Sequence, residues 1–187
     1  ILNHLWVLSL EKNIKNVHEM IQRAKEIAQS VHGNQKDKKN YPYMSHIFDV
    51  AKRVSHLGEK YEVVALLHDA IEDAEPLDFK KEVTAQIEVA FDEEVVLAIK
   101  AMSKNPGEDY FADYLPRLKA NSIATQVKIA DSSHNLSKAH LLNQIDEISL
   151  QEKLRSKYIK VLDELGVDGK SCEKPLEHKD GKWLIKE

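Results

Sequence analysis

The chain has 187 residues, 42% hydrophobic and 31% charged, which fits one ordinary globular domain with room for a short appendage. Its 27 basic and 31 acidic residues leave a net charge of −4, so no global basic field recommends nucleic acid as a partner, although a small phosphate-binding patch stays compatible with that balance. The single Cys172 excludes an intramolecular disulfide and fits a reducing, cytoplasmic setting; no apolar run approaches the roughly 18 residues of a membrane span, so no membrane partner is expected.

Only 6 Gly and 5 Pro interrupt the chain and strand-type alternation is hard to find, which predicts a mostly helical fold. The opening residues 1–8 are too short and uncharged for a secretory signal. Ile14, Val17, Ile21, Ala24, Ile27, Ala28 and Val31 recur at helical spacing and predict an amphipathic helix over 10–31, closed near Gly33. The polar loop 33–42 carries Lys36, Asp37, Lys38 and Lys39. Such a loop is a solvated turn or, if it borders a site, a grip for phosphate. A second helix spans 43–57, with Ile47, Val50, Ala51, Val54 and Leu57 on one face and His46 on or beside it.

The segment 62–73 is the most unusual. Val63, Val64, Ala65, Leu66 and Leu67 form an apolar base, and His68, Asp69, Glu72 and Asp73 come directly after it. On one continuous helix Glu72 would sit a turn beyond His68, and Asp73 a turn beyond Asp69, so both pairs would aim at one cavity. A helix leaving the core in a solvated acidic turn has the same pattern. Pro76 stops the helix from running further. Weakly patterned helix covers 77–89, and a clearer one 92–102 with Asp92 at its N-cap. Asn105-Pro106-Gly107 is a turn, and a helix over 108–120 is broken or kinked at Pro116.

In the helix expected over 123–142, Asp131 shares a face with Lys128 and Asn135. An aspartate in an apolar helical run is costly to bury unless it is paired or ligates a metal; on a surface it needs no explanation. A last amphipathic helix covers 148–166. The polar tail 167–187 carries Asp168-Gly169 and Asp180-Gly181, and is either a small hairpin anchored by Trp183 or a flexible end. The division is therefore a helical domain over 10–166 and a tail over 167–187.

His46, His68-Asp69 and Asp131 each sit on their own predicted helix, and a helical bundle can bring such positions together at its centre. Two imidazoles and two carboxylates suit Mn²⁺, Fe²⁺, Zn²⁺ or Mg²⁺ and leave positions open for water or substrate. The pattern His46…His68-Asp69…Asp131 resembles the signature of the HD-domain metal-dependent phosphohydrolases. The fuller set, Tyr43-x-x-His46, His68-Asp69-Ala70-Ile71-Glu72-Asp73 and Lys128-Ile129-Ala130-Asp131-x-x-His134-Asn135, resembles the hydrolase domain of RelA/SpoT-type alarmone enzymes. The likeness covers roughly residues 17–142, and no segment resembles the alarmone synthetase domain.

The resemblance implies an all-α HD-domain bundle that removes the 3′-pyrophosphate of (p)ppGpp with Mn²⁺. It implies His46, His68, Asp69 and Asp131 as metal ligands, with the ion activating a water and polarising a phosphoryl oxygen. It implies Glu72 and Asp73 as the catalytic acid pair, Asn135 as a nucleotide contact, and Lys36, Lys38 and Lys128 as phosphate contacts. Bifunctional members carry a basic residue nine positions before the first metal histidine, whereas this chain has Asp37 there. Asp37-Lys38 and Asn105-Pro106-Gly107-Glu108-Asp109-Tyr110 resemble small stand-alone HD proteins instead. Hydrolysis of another nucleotide or phosphate ester, and a non-catalytic nucleotide sensor, are the competing functions.

Overall fold

The apolar spacing along the chain is read out as packed helices in a computed structural model, which describes residues 2–186, with side chains described from residue 16 onward. Helix α1 (Leu2–His32) buries Ala24, Ile27 and Ala28, while Ile14 lies outside the described side chains. It stops at Gly33, where a Cβ would come within 2.6 Å of the Gln29 carbonyl oxygen. Helix α2 (Tyr43–Val54) turns Ile47, Val50, Ala51 and Val54 inward as expected. Leu57 does not join them. Residues Ser55–Leu57 form a 3₁₀ turn, whose three-residue period rotates Leu57 off the helical face and leaves it 41% exposed.

The expected single helix over 62–73 is two helices, α3 (Glu59–Leu66) and α4 (Ala70–Asp73). Between them Leu67 (φ −113°, ψ 8°) and Asp69 (φ −106°, ψ −3°) sit near the bridge region. The Ala65 carbonyl, which a continuing helix would offer to the amide of residue 69, accepts a hydrogen bond from His68 Nδ1 at 2.7 Å. The imidazole thus competes for the acceptor that would have carried the helix forward. Val63, Val64, Ala65, Leu66 and Leu67 are all buried, as befits a helix enclosed on every side, and α1, α2, α6 and α8 pack around α3.

Helices α5 (Leu77–Ala90) and α6 (Glu93–Met102) come next. Asp92 stands at the cap position of α6 with extended backbone, but its side chain makes no capping hydrogen bond. The segment around Pro116 is broken as its composition predicts: a π-turn over Tyr110–Tyr114 precedes α7 (Leu115–Lys119), whose first turn takes Pro116, where its missing N–H costs nothing. Helix α8 (Ser122–Lys138), capped by Asn121 Oδ1 accepting the Ala124 amide at 2.9 Å, runs through the core and continues as a 3₁₀ turn over Ala139–Leu141. Helix α9 (Ile148–Glu164) packs on it.

The C-terminal segment ends in an antiparallel hairpin, β1 (Leu176–Lys179) and β2 (Lys182–Ile185). Asp180 (φ 51°) and Gly181 (φ 76°) both take the left-handed conformation that a two-residue hairpin turn requires. Trp183 is buried, and its Nε1 donates to Ser45 Oγ on α2 at 3.1 Å. The fold is thus a helical bundle with one small hairpin clipped to α2 and α8. Removing the indole leaves a cavity and takes a donor from the Ser45 hydroxyl, so Trp183→Ala will lower unfolding free energy by about 3 kcal/mol. Urea denaturation read by far-UV circular dichroism checks this; an unchanged midpoint would mean that the hairpin contributes nothing to the bundle.

Candidate metal centre

Three separate elements supply the cluster at the centre of the bundle. His46 comes from the first turn of α2, His68 and Asp69 from the turn between α3 and α4, and Asp131 from the middle of α8. On a straight helix His68 and Asp69 would point about 100° apart. The interrupted helix brings His68 Nε2 to 3.0 Å from Asp69 Oδ2. Donor atoms of His46, His68 and Asp69 all lie within 4.8 Å of one another. Asp131 Oδ1 approaches His46 Nε2 at 3.3 Å and His68 Nε2 at 3.7 Å.

Nε2 of His46 and Nε2 of His68 are both buried, and neither makes a well-aligned hydrogen bond to the carboxylate it faces. An orphaned buried nitrogen is costly, and two of them facing two carboxylates make a donor set that fits a divalent cation. When His68 is neutral it holds the required tautomer, because its Nδ1 donates to the Ala65 carbonyl. The carboxylates are braced as well. Asp69 Oδ2 accepts from the Tyr43 hydroxyl at 2.6 Å. Asp131 accepts from Lys128 Nζ at 3.0 Å on one oxygen and from Asn135 Nδ2 at 2.6 Å on the other.

Charge is set by this packing. Burial opposes ionisation of Asp131, yet the adjoining Lys128 ammonium and His46 outweigh it and hold the carboxyl well below the usual range. Lys128 is raised by the same pairing against its own burial. Burial also opposes a charged His68, but Asp69 and Asp131 prevail and push the ring up to about 9. Burial lowers His46 and keeps it neutral, and raises the Tyr43 phenol so that it stays a donor.

The acid pair diverges. Glu72 Oε2 accepts the Lys104 backbone amide at 3.0 Å, whereas Asp73 Oδ2 accepts Gln35 Nε2 at 2.9 Å. The Asp73 side chain is 32% exposed, and partial burial, reinforced by the Asp69 charge, raises its pKa. A cavity of about 340 Å³ adjoins the cluster, sharing Tyr43 and Asn135 with it. Lys36 and Lys38 line it and are exposed. Lys128 does not line it, because its amine is engaged with Asp131 and lies over the rings of Tyr110 and Tyr114.

Residues not assigned from the sequence complete the site. Lys138 lines the cavity and donates to Asp37 Oδ2 at 3.1 Å, and Asp37 Oδ1 accepts the amides of Lys39 and Tyr41. Gln35 holds Asp73, and Tyr43 holds Asp69. A signal existed for two of them: Tyr43 lies one turn before His46 and Lys138 one turn after Asn135, each on the face already singled out.

No family model matches the chain. It is 27% identical, over 201 aligned positions, to the guanosine-3′,5′-bis(diphosphate) 3′-pyrophosphohydrolase of Aquifex aeolicus (strain VF5). That match takes in 99% of this chain but only 26% of the relative's length. Among solved structures it superposes, with a TM-score of 0.63 and 20% identity, on one described as a metazoan ortholog of SpoT that hydrolyzes ppGpp, covering 82% of this chain and 89% of that one. The chain shares the fold of that SpoT ortholog. The resemblance read from the HD and Asp131 motifs thus extends to an all-α bundle of the same architecture.

A divalent ion held by this cluster would compete with the proton of His68. Affinity for added divalent metal, measured by isothermal titration, is therefore expected to rise with pH and level off above about 9, with proton release to buffer below that value. Without metal the sign reverses. A folded-state pKa above the unfolded value of 6.5 contributes stability in full below 6.5 and loses it as pH rises through about 9. Thermal melts of the metal-free chain across that window check the second statement.

Proposed function

We propose that the protein is a metal-dependent phosphohydrolase that removes the 3′-pyrophosphate from (p)ppGpp or a close analogue. The observation that carries this reading is the pair of orphaned ring nitrogens, facing two carboxylates, beside a cavity lined by exposed lysines. The relatives' names supply the substrate class. His46, His68, Asp69 and Asp131 hold the ion, for which Mn²⁺ is the first candidate and Fe²⁺, Zn²⁺ or Mg²⁺ the others. When bound it supplies Lewis acidity toward a phosphoryl oxygen and lowers the pKa of a coordinated water.

The chain's own residues do the rest. Lys36 and Lys38 act as point charges for the phosphates, and Lys128 sustains the charge of Asp131. Asn135, at the border of cluster and cavity, hydrogen-bonds the nucleotide. Glu72 and Asp73 share the proton handling: one accepts the proton of the attacking water, and the other returns a proton to the departing 3′-oxygen. Water oxygen bonds to phosphorus, the phosphorus–3′-oxygen bond breaks, and pyrophosphate leaves. The raised pKa of Asp73 suits it to the donor role. Among the described residues no helix is long and apolar enough to cross a membrane, and the reading assigns the reaction to the cytoplasm.

One observation favours a second substrate. Asp37 stands where bifunctional RelA/SpoT-type members have a basic residue, and it is spent on Lys138 inside the cavity. A different phosphorylated nucleotide would then be the natural substrate, with the same metal chemistry.

Metal-stripped protein supplied with Mn²⁺ and, separately, ppGpp, GTP, dGTP and a generic phosphodiester will convert ppGpp to GDP and pyrophosphate, as resolved by ion-exchange chromatography. Turnover of the other substrates alone would select the second reading, and turnover of none would sink both. His68→Ala and Asp69→Ala will lose metal and activity together. Glu72→Ala will keep its metal and lose about 10²-fold or more in kcat; full activity in that variant removes Glu72 from the mechanism.

A further inference from the structure

The metal reading uses Nε2 of His46 and leaves Nδ1 to a neighbour. That Nδ1 lies 2.8 Å from Nδ1 of His134, inside the core. Two imidazole nitrogens at this distance share one proton, so one ring donates and the other accepts. If His46 accepted, its own proton would sit on Nε2, and no lone pair would face His68 and the carboxylates. If His46 donates, Nε2 is bare.

The outer nitrogens of the two rings bear on the choice. Nε2 of His134 is buried, has no hydrogen-bond partner, and lies 3.5 Å from Asp49 Oδ2. Asp131 Oδ1 stands 3.3 Å from Nε2 of His46 in the same way, but a cation held by Asp131 takes the place of a proton there; the bridging proton then belongs to His46, and Nδ1 of His134, with Asp49 at its Nε2, is left as the acceptor. Asp49 is itself anchored, with Oδ2 accepting from Arg53 Nε at 2.6 Å one turn along α2. The His134 ring is also held from outside. Trp183 of the hairpin meets it edge-on at 5.5 Å and is tied to Ser45, the residue before His46.

We infer that His134 is a positioning residue that locks His46 in the Nδ1–H tautomer, with Asp49 behind it selecting the matching tautomer of His134, so that Nε2 of His46 is free to ligate a divalent ion. The inference rests on the metal-site reading above. It assigns a role to two side chains, Asp49 and His134, that do not line the cavity.

The test is metal binding without substrate, on the full chain. Mn²⁺ affinity is read by electron paramagnetic resonance for wild type, His134→Leu and His134→Asn. The asparagine side-chain oxygen can replace Nδ1 as the acceptor, and leucine cannot. Loss of an outer partner of a ligating histidine costs about 10–100-fold in metal affinity. His134→Leu is expected to show a loss of that size and His134→Asn to recover most of it. In parallel, ¹⁵N shifts of the wild type loaded with diamagnetic Zn²⁺ are expected to show Nδ1 of His46 protonated and Nδ1 of His134 bare. Wild-type affinity in His134→Leu, equal loss in both variants, or a bridging proton on Nδ1 of His134 in place of His46 overturns the inference. If His134→Leu does not fold, the ¹⁵N result on wild type decides alone. Failure of the hydrolase reading looks different: the affinity ranking and tautomer hold, yet no phosphorylated nucleotide turns over.

Discussion

Keeping charge out of water at the centre of a helical bundle is the constraint on which this structure depends. His46, His68 and Asp131 are buried, and Asp69 is half-buried. A lone carboxylate in such a place would take up a proton rather than stay charged. Here each has a compensating neighbour: Lys128 and Asn135 for Asp131, Tyr43 and His68 for Asp69. An arrangement of this kind is a weak contributor to stability, since desolvation offsets most of the attraction. Its value lies in holding two carboxylates ionised beside two ring nitrogens.

That purpose accounts for the broken helix. A continuous helix from α3 into α4 would be the more favourable local structure, with every amide paired to the carbonyl four residues back. His68 takes the Ala65 carbonyl instead, and the chain turns so that two adjacent side chains reach one point. The same turn redirects α4 and the acids it carries. Glu72 goes to the Lys104 amide and Asp73 to Gln35, so the two acids stand in different surroundings, and partial burial beside Asp69 raises the pKa of Asp73. A carboxyl whose pKa is raised by its surroundings is suited to donating a proton.

The cavity beside the cluster sorts its lysines in a comparable way. Lys39 is paired with Glu147 and Lys138 with Asp37, while Lys36 and Lys38 remain exposed at the wall. Paired cations define the shape of the wall, and the exposed ones leave attraction for an anionic ligand. The hairpin closes the back of the assembly, where Trp183 touches His134 and Lys138 lies under its ring at 5.0 Å.

By itself the sequence determined the helical class, the inward face of α2 short of Leu57, the break at Pro116 and the turn at Asp180-Gly181, because each is a matter of spacing or backbone preference within a few residues. It also marked His46, His68, Asp69 and Asp131 by residue type and by resemblance, and the fold brings all four together. Tertiary structure alone decided the turn at residues 67–69, which depends on a side chain outcompeting an amide for one carbonyl. It alone paired His46 with His134, 88 positions away, and Asp37 with Lys138, 101 positions away. Periodicity reports which residues share a face of one helix. Which face meets which is set by packing between helices, and that carries no local signal.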